Sequence, residues 1–132
     1  MGRMMSYYLA PSLKALRNEI DAKWPKRDRS SDGWIGDPAH AARVSQHNPD
    51  WSSTPPGVVD ALDIDVDGID VRLLLDSLVT DRRVWYVIYN RLIWSRSNGW
   101  KPKRYTGSNP HTKHVHVSIL GTRRAREDTG RG

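Results

Sequence analysis

The stretch "HVHVSIL", residues 114–120, alternates polar and apolar side chains along almost its whole length. Successive side chains of a β-strand point to opposite faces, so this alternation predicts a strand with one face in the core and one polar face. The core face would carry Val115, Val117 and Ile119, and the polar face His114, His116 and Ser118.

Histidines are concentrated at the start of this strand. Three of the chain's five histidines, His111, His114 and His116, lie within the seven residues "HTKHVHV", 111–117. Solvation alone would favour Thr, Lys or Arg at exposed strand positions. Residues two apart share a face at about 6.7 Å along the strand, so His114 and His116 can approach one centre. The spacing therefore indicates a metal site or a proton-transfer site.

A second predicted strand, "VVDALDIDV" at 58–66, supplies an acidic face. A catalytic zinc ion commonly has three protein ligands from His, Asp or Glu and leaves a fourth position to water. His116, an Asp of this strand and His47 of the preceding loop would complete such a set, with His114 beside the water to take its proton. The choice of Asp stays open. The alternation puts Asp63 and Asp65 on the face of Ala61, and Asp60 on the face of Leu62 and Ile64. We rank Asp63 first, Asp65 second, Asp60 third and the loop residue Asp50 last.

The remaining pattern predicts an α+β fold with a small antiparallel sheet flanked by helices. Apolar residues at helical spacing predict a helix at about 12–24, with Ser12 as N-cap, and another at 69–81. The stretch 84–95 predicts two strands around a tight turn near Asn90. We expect one domain over 1–120, with a loop-rich region at 28–57, and a flexible basic tail at 121–132, since the tail has no apolar pattern.

Composition excludes several classes of site. The chain has 132 residues, which fits one domain, and no cysteine, which rules out disulfides, thiolate nucleophiles and cysteine-bound zinc. No stretch approaches the roughly 20 apolar residues of a membrane span, and the N-terminus lacks the apolar core of a signal peptide. We therefore expect a monomer made in the cytoplasm without a signal peptide and without membrane insertion.

The chain is basic, with a net charge of +6 and a pI near 9.9. This charge implies attraction to polyanions, and its sign alone does not choose among nucleic acid, anionic lipid and an anionic cell wall.

"DIDVDGID", 63–70, resembles the opening of an EF-hand loop, but Leu74 stands where that loop needs a bidentate Glu. A serine nucleophile is disfavoured because the chain has no GxSxG motif.

Three segments together resemble a known family: "SQHNPD" at 45–50, "GVVDALDID" at 57–65 and "HTKHVHVS" at 111–118. They are similar to the zinc peptidases that include D-alanyl-D-alanine carboxypeptidases, murein endopeptidases and the peptidase domains of phage endolysins. The resemblance covers about 31–120. It implies the small α+β fold that these enzymes share with hedgehog proteins, and cleavage of peptidoglycan stem peptides.

The resemblance also implies roles for single residues. His47 of an SxH motif, Asp63 and His116 of an HxH motif would bind one Zn²⁺ ion, His114 would lie beside the zinc-bound water, and His111 would support it or face substrate. The chain departs from the family in one spacing, because fifteen residues separate His47 from Asp63, more than family members usually have.

Four further residues are expected at the substrate. Arg43 would bind a substrate carboxylate through its guanidinium fork. Ser45 would orient His47 or its loop, and Trp51 together with Tyr105 or Trp100 would line a peptide or glycan cleft.

These observations favour a zinc-dependent peptidoglycan peptidase, such as a phage endolysin that reaches the anionic cell wall after release from the host cytoplasm. A non-catalytic zinc-binding module of the same fold is the alternative. A basic nucleic-acid-binding protein is a third possibility, but nucleic acid is not expected as a partner because no such motif is present.

Overall fold

The computed structural model describes residues 8–28, 32–33, 57–107 and 112–129. This part of the chain is a mixed α+β structure. Its elements, in chain order, are β1 (Tyr8–Leu9), α1 (Pro11–Lys23), β2 (Val58–Val59), β3 (Ala61–Asp65), α2 (Val71–Val79), β4 (Val84–Tyr89), β5 (Leu92–Ser95), a 3₁₀ turn (Arg96–Asn98), β6 (Lys103–Arg104), β7 (His114–Ile119) and α3 (Arg123–Glu127).

Five strands form one antiparallel sheet in the order β3-β7-β4-β5-β6. Strand β7 is paired along both edges, with β3 on one side and β4 on the other. Strands β1 and β2 form a separate two-stranded parallel pair. The predicted α+β class and antiparallel sheet are therefore confirmed.

The apolar face of the sheet packs on helices α1 and α2. Val115, Val117 and Ile119 are at most 1% exposed, as the alternation in β7 predicts. Leu62 and Ile64 of β3 lie in the same core, together with apolar residues of both helices. This packing fixes the opposite face of β3 and β7 outward from the core.

The two longer helices begin at different kinds of cap. Helix α1 has Ala10 as N-cap and Pro11 in its first turn, so the prediction of Ser12 as N-cap is wrong. Proline fits the first helical position because its missing N–H would have no partner there, and Ser12 is instead buried. Helix α2 begins after Asp70, whose carboxylate accepts a hydrogen bond from the Leu73 N–H at 3.2 Å.

The predicted tight turn near Asn90 is confirmed. Asn90 and Arg91 connect β4 to β5 with φ angles of 48° and 68°. Two consecutive residues with positive φ are the signature of a type I′ hairpin turn, whose twist matches that of the flanking strands.

The prediction of a flexible tail from residue 121 is wrong over the described residues. Residues 123–127 form helix α3, which lies against α1 and buries Ala125. The Thr122 side chain accepts a hydrogen bond from the Ala125 N–H at 3.1 Å and caps the helix. Arg126 pairs with Asp60. This helix is stabilised by the Thr122 cap, burial of Ala125 and the Arg126–Asp60 ion pair. These contacts leave no apolar periodicity in the sequence, which is why the helix was not predicted.

No helix among the described residues is long and apolar enough to cross a membrane.

Candidate metal and catalytic site

The pairing of β3 with β7 brings the predicted acidic and histidine-bearing faces together. Asp63 lies opposite His116 and Asp65 opposite His114. Residues directly opposite each other in an antiparallel pair have side chains on the same face, about 5 Å apart. The polar faces predicted separately for the two strands are therefore one surface.

Asp63 contacts both histidines of β7. One carboxylate oxygen, Oδ1, lies 3.1 Å from His116 Nδ1, and the other, Oδ2, lies 3.5 Å from His114 Nε2. The side chains of Asp63 and His114 are 19% and 17% exposed and that of His116 is 6% exposed. The carboxylate thus joins a buried imidazole to a partly exposed one, whose two ring nitrogens are themselves buried.

His116 is held at its second ring nitrogen as well. Its Nε2 lies 2.8 Å from the Ser118 Oγ, and Ser118 is fully buried. If Nε2 carries the proton and donates it to Ser118, Nδ1 is left with a lone pair directed toward Asp63. In that tautomer Nδ1 and the Asp63 oxygen are both acceptors, as metal ligands must be; in the other tautomer Nδ1 donates to Asp63 and the Ser118 hydroxyl donates to Nε2.

Tyr86 of β4 forms the other side of the His116 environment. Its ring stacks on the imidazole with centroids 5.5 Å apart and planes 14° apart. Burial raises the pKa of the Tyr86 phenol, a hydrogen bond with Ser118 lowers it, and the nearby Tyr105 and Asp63 raise it further, so the net pKa is above its ordinary value. The Tyr86 ring holds the imidazole of His116 by stacking, and Ser118 holds it by a hydrogen bond at Nε2.

The backbone of Asp63 is fixed from the far side of β3. The Asp63 N–H donates to the Gly33 carbonyl at 2.7 Å, and the Gly33 N–H donates to the Asp63 carbonyl at 3.2 Å. The neighbouring Asp32 accepts from the Asp65 N–H at 2.7 Å and from Arg27 at 2.6 Å. The Arg27 side chain is fully buried between Asp32 and Asp21. Residues 32–33 thus extend the sheet beside Asp63.

The other two candidate aspartates have structural contacts. Asp65 is buried, and its carboxylate accepts from the Asp67 N–H at 3.0 Å, within the turn that leads to α2. Asp60 accepts two hydrogen bonds from Arg126, at 2.9 and 2.7 Å. Asp63 is the candidate whose carboxylate the structure places against both His114 and His116.

Most of the other predicted site residues lie outside the described part of the chain. Tyr105 is described, follows β6 and lines a surface pocket, whereas Trp100 packs against the hydrophobic core. The predictions that fall outside the described residues concern the ligand His47, the supporting residue His111, and Arg43, Ser45 and Trp51.

Within residues 8–28, 32–33, 57–107 and 112–129, no group of three His, Asp or Glu side chains is placed to hold a metal ion. Asp63 and His116 nevertheless have the spacing of two ligands. Zinc bonds of about 2.0–2.1 Å at a tetrahedral angle put neighbouring ligand atoms about 3.3 Å apart. The observed 3.1 Å between Oδ1 and Nδ1 is close to this value, and it is also an ordinary hydrogen-bond length. A third ligand would have to come from elsewhere.

Two residues of the site were not predicted from sequence. Ser118 was placed on the face of His116 by the strand alternation, and that shared face was the signal that it could contact the imidazole. Tyr86 gave no comparable signal, because its position opposite Ser118 depends on the register of β4 against β7.

Comparison of the chain with protein-family models, with curated proteins and with solved structures found no match.

Proposed function

We propose that the protein is a zinc-dependent peptidase that hydrolyses an amide bond in peptidoglycan stem peptides. The observation that supports this most is the contact of Asp63 Oδ1 with His116 Nδ1 at 3.1 Å, beside a second histidine. The resemblance of residues 31–120 to the zinc peptidases of cell walls points to the same chemistry. It also suggests their hedgehog-like fold.

His47, Asp63 and His116 would hold the zinc ion in this proposal. When bound, zinc polarises the scissile carbonyl and lowers the pKa of a water molecule toward neutrality. Ser118 would accept a hydrogen bond from His116 Nε2 and so direct Nδ1 toward the ion, as partners of metal-bound histidines usually do.

His114 would act as the general base. It is the more exposed of the two strand histidines, and its Nε2 lies 3.5 Å from the Asp63 oxygen that does not face His116. From this position His114 would take the proton of the attacking water and return it to the leaving amine.

The net charge of +6 suits a polyanionic cell wall as the surrounding partner. We propose that the protein acts there after release from the cytoplasm, as phage endolysins do.

The test is metal removal followed by separate variants. We expect the purified protein to contain about one zinc ion per chain, to lose cleavage of a defined muropeptide after chelation and to regain it with zinc, measured by mass spectrometry of the products. His116→Ala and Asp63→Asn should lose zinc and activity together. His114→Ala should lose at least about 100-fold in kcat while keeping zinc, because general-base catalysis contributes about 10²–10⁴-fold.

Asp65→Asn is the comparison variant, since it removes the other carboxylate from the same face of β3, one that accepts a hydrogen bond from the Asp67 N–H. It should keep zinc and most activity. Full cleavage by metal-free protein would sink the proposal. Tight zinc binding with no cleavage of any stem peptide would instead favour a non-catalytic zinc module.

A further inference from the structure

Strand β4 contains an irregularity that changes which of its residues face the candidate site. Val84 and Val87 are both in the core, 1% and 0% exposed, although they are three positions apart and residues that share a face of a regular strand are two apart. The pairing with β7 shifts between Val84 and Tyr86. This β-bulge adds one residue to β4, so Trp85 and Tyr86 both lie on the face away from the core.

The contacts between aromatic rings agree with this arrangement. The rings of Trp85 and Tyr86 meet edge to face, with centroids 5.1 Å apart and planes at 74°. Neighbouring side chains of a regular strand point to opposite faces and do not make such a contact. The Tyr86 ring also stacks on His116, with centroids 5.5 Å apart. Three rings in contact thus lead from Trp85 to the imidazole of the candidate site.

Arg96 holds the bulge in place. Its Nε and Nη2 donate to the Val84 carbonyl at 3.0 and 2.8 Å, and Nη2 also donates to the Asp81 carbonyl at 3.0 Å. The guanidinium lies over the Trp100 ring, 5.3 Å from its centroid. A bulge interrupts the ladder of hydrogen bonds, and these side-chain donors give the Val84 carbonyl its partners. The backbone that carries Trp85 is therefore fixed by several contacts.

The side chain of Trp85 is open to solvent on the face of His116. The exposed large apolar residues in the described part of the chain are Leu73, Trp85 and Leu92, at 44%, 36% and 38%. Leu73 lies on helix α2. Leu92 lies opposite Tyr89, which packs against the core, so it is on the other face of the sheet. Of these three residues, Trp85 is the one that shares a face with the candidate site.

Hydroxyl groups lie on the same face of the sheet. Ser95 of β5 is directly opposite Tyr86, and its Oγ is 3.4 Å from that of the exposed Ser97. The guanidinium of Arg96, between the two serines in sequence, is engaged with backbone carbonyls. A single exposed apolar residue is ordinary on a protein surface, but bulges that direct a side chain are frequent next to active sites. An indole and hydroxyl groups on one face suit an uncharged ligand with an apolar face and a polar edge.

We infer that Trp85 stacks against a sugar ring of the glycan strand to which the cleaved stem peptide is attached. The inference rests on the proposed peptidase function, since that function makes a glycan strand the neighbour of the peptide. A pyranose ring presents C–H groups on its face and hydroxyl groups at its edge, and an indole combines a large apolar surface with one N–H donor. Trp85 contacts the site through Tyr86, so it would select the substrate without taking part in the chemistry.

The experiment compares two substrates that contain the same peptide. One is a disaccharide-peptide from peptidoglycan, and the other is that peptide without its sugars. Both kcat and KM are measured for the wild type, for Trp85→Leu, which keeps an apolar side chain without a ring, and for Trp85→Phe, which keeps a ring. Leu92→Ala is the control, since it removes a similarly exposed apolar side chain from the other face of the sheet.

We expect Trp85→Leu to raise KM for the disaccharide-peptide about tenfold, a usual effect of removing a tryptophan from the centre of a binding surface. The loss should appear in KM rather than in kcat, and it should be much smaller for the free peptide. Trp85→Phe should restore most of the affinity, and Leu92→Ala should change neither substrate. Thermal unfolding of each variant verifies that the fold is kept.

An equal rise in KM for both substrates would overturn the inference, because the indole would then contact the peptide. Unchanged KM for both would overturn it as well. A rise in KM that Trp85→Phe did not reduce would mean that no ring is needed, and stacking would be excluded.

A second measurement does not depend on cleavage. The wild-type chain should bind tetra-N-acetylchitotetraose, followed by nuclear magnetic resonance of the indole N–H groups, and Trp85→Leu should bind it about tenfold more weakly. Absence of binding by the wild type would overturn the inference. The peptidase proposal fails separately, by absence of zinc and of cleavage in the wild-type chain. In that case a loss of oligosaccharide binding in Trp85→Leu would still support the sugar site.

Discussion

His116 is restrained on three sides by contacts of different kinds. Asp63 lies at one ring nitrogen, Ser118 at the other, and the Tyr86 ring stacks on its face. Contacts at both nitrogens and on one ring face hold this buried imidazole in one orientation. The Ser118 hydroxyl can accept from Nε2 or donate to it, so it suits either tautomer of the ring.

Ser118→Ala should weaken zinc binding about 10- to 100-fold, the usual effect of removing a hydrogen-bond partner of a ligating histidine. The buried His116 Nε2 would lose its hydrogen-bond partner, and the ring would lose one of the contacts that orient it. Zinc affinity is measured by competition with a chromophoric chelator.

Tyr86→Phe is the control for Ser118→Ala. It removes the hydroxyl that bonds Ser118 and keeps the stacked ring, so its effect should be clearly smaller. If both variants bound zinc as tightly as the wild type, Ser118 would not orient the ligand.

For single residues, the alternation in the sequence predicted which side chains share the polar face, and the structure identified the contacts among them. Alternation in β7 and β3 correctly placed His114, His116 and Asp63 outside the core. It could not identify which aspartate meets the histidines, since Asp63 and Asp65 share a face. That choice depends on the strand register, and on the contacts of Asp65 with its own turn.

At the scale of elements, the amphipathic helices, the longer strands and the hairpin were predicted from periodicity and turn chemistry. Helix α3 and the parallel pair β1–β2 were not. Both are short, and both depend on contacts distant in sequence: Arg126 reaches Asp60, and Tyr8 and Leu9 pair with Val58 and Val59. Hydrophobic periodicity and turn residues within a short window do not predict contacts between residues so far apart in sequence.

Arg126→Gln should destabilise the protein by about 3 kcal/mol, the typical cost of removing one partner of a buried ion pair. Asp60 is 5% exposed and would be left as a buried charge without this guanidinium. Urea unfolding followed by circular dichroism gives the free energy of unfolding.

Arg123→Gln is the control on the same helix. The side chain of Arg123 is 81% exposed, and among the described residues its ion-pair partner is Glu127, four residues on. Exposed pairs of this kind contribute little, so the free energy of unfolding should change by less than about 0.5 kcal/mol. Equal losses of unfolding free energy in the two variants would mean that both act through the stability of helix α3 itself, and that the ion pair with Asp60 is not the cause.

For the whole molecule, the net charge of +6 makes acidification unfavourable, since protonating carboxylates increases the repulsion among the basic groups. Asp81, which is partly buried beside Arg83, contributes to this effect. Burial raises its pKa, but hydrogen bonds from the Arg83 side chain and backbone outweigh burial, and the net pKa lies below the ordinary 3.8. A lowered pKa means that the pair stabilises the fold above this ordinary value and is lost as pH falls through the folded-state pKa.

Asp81→Asn should therefore reduce the free energy of unfolding at pH 6 by about 1–3 kcal/mol, because the buried Arg83 loses its carboxylate. The difference from wild type should shrink as pH falls below about 3.8, where the wild-type carboxyl also becomes neutral. Urea unfolding at pH 6, 4 and 3 measures it. A difference that stayed constant over this range would mean that Asp81 acts through packing alone.

The ion pair between Asp60 and Arg126 has a practical consequence for trimming the protein. Residues after 120 look dispensable on paper, and a shortened version that stops there would be a natural choice for crystallisation. Such a truncation would leave the buried carboxylate of Asp60, just before β3 and three positions before Asp63, without its arginine partner. Shortening should therefore start beyond Asp128, so that helix α3 keeps its contact with the strand that carries Asp63.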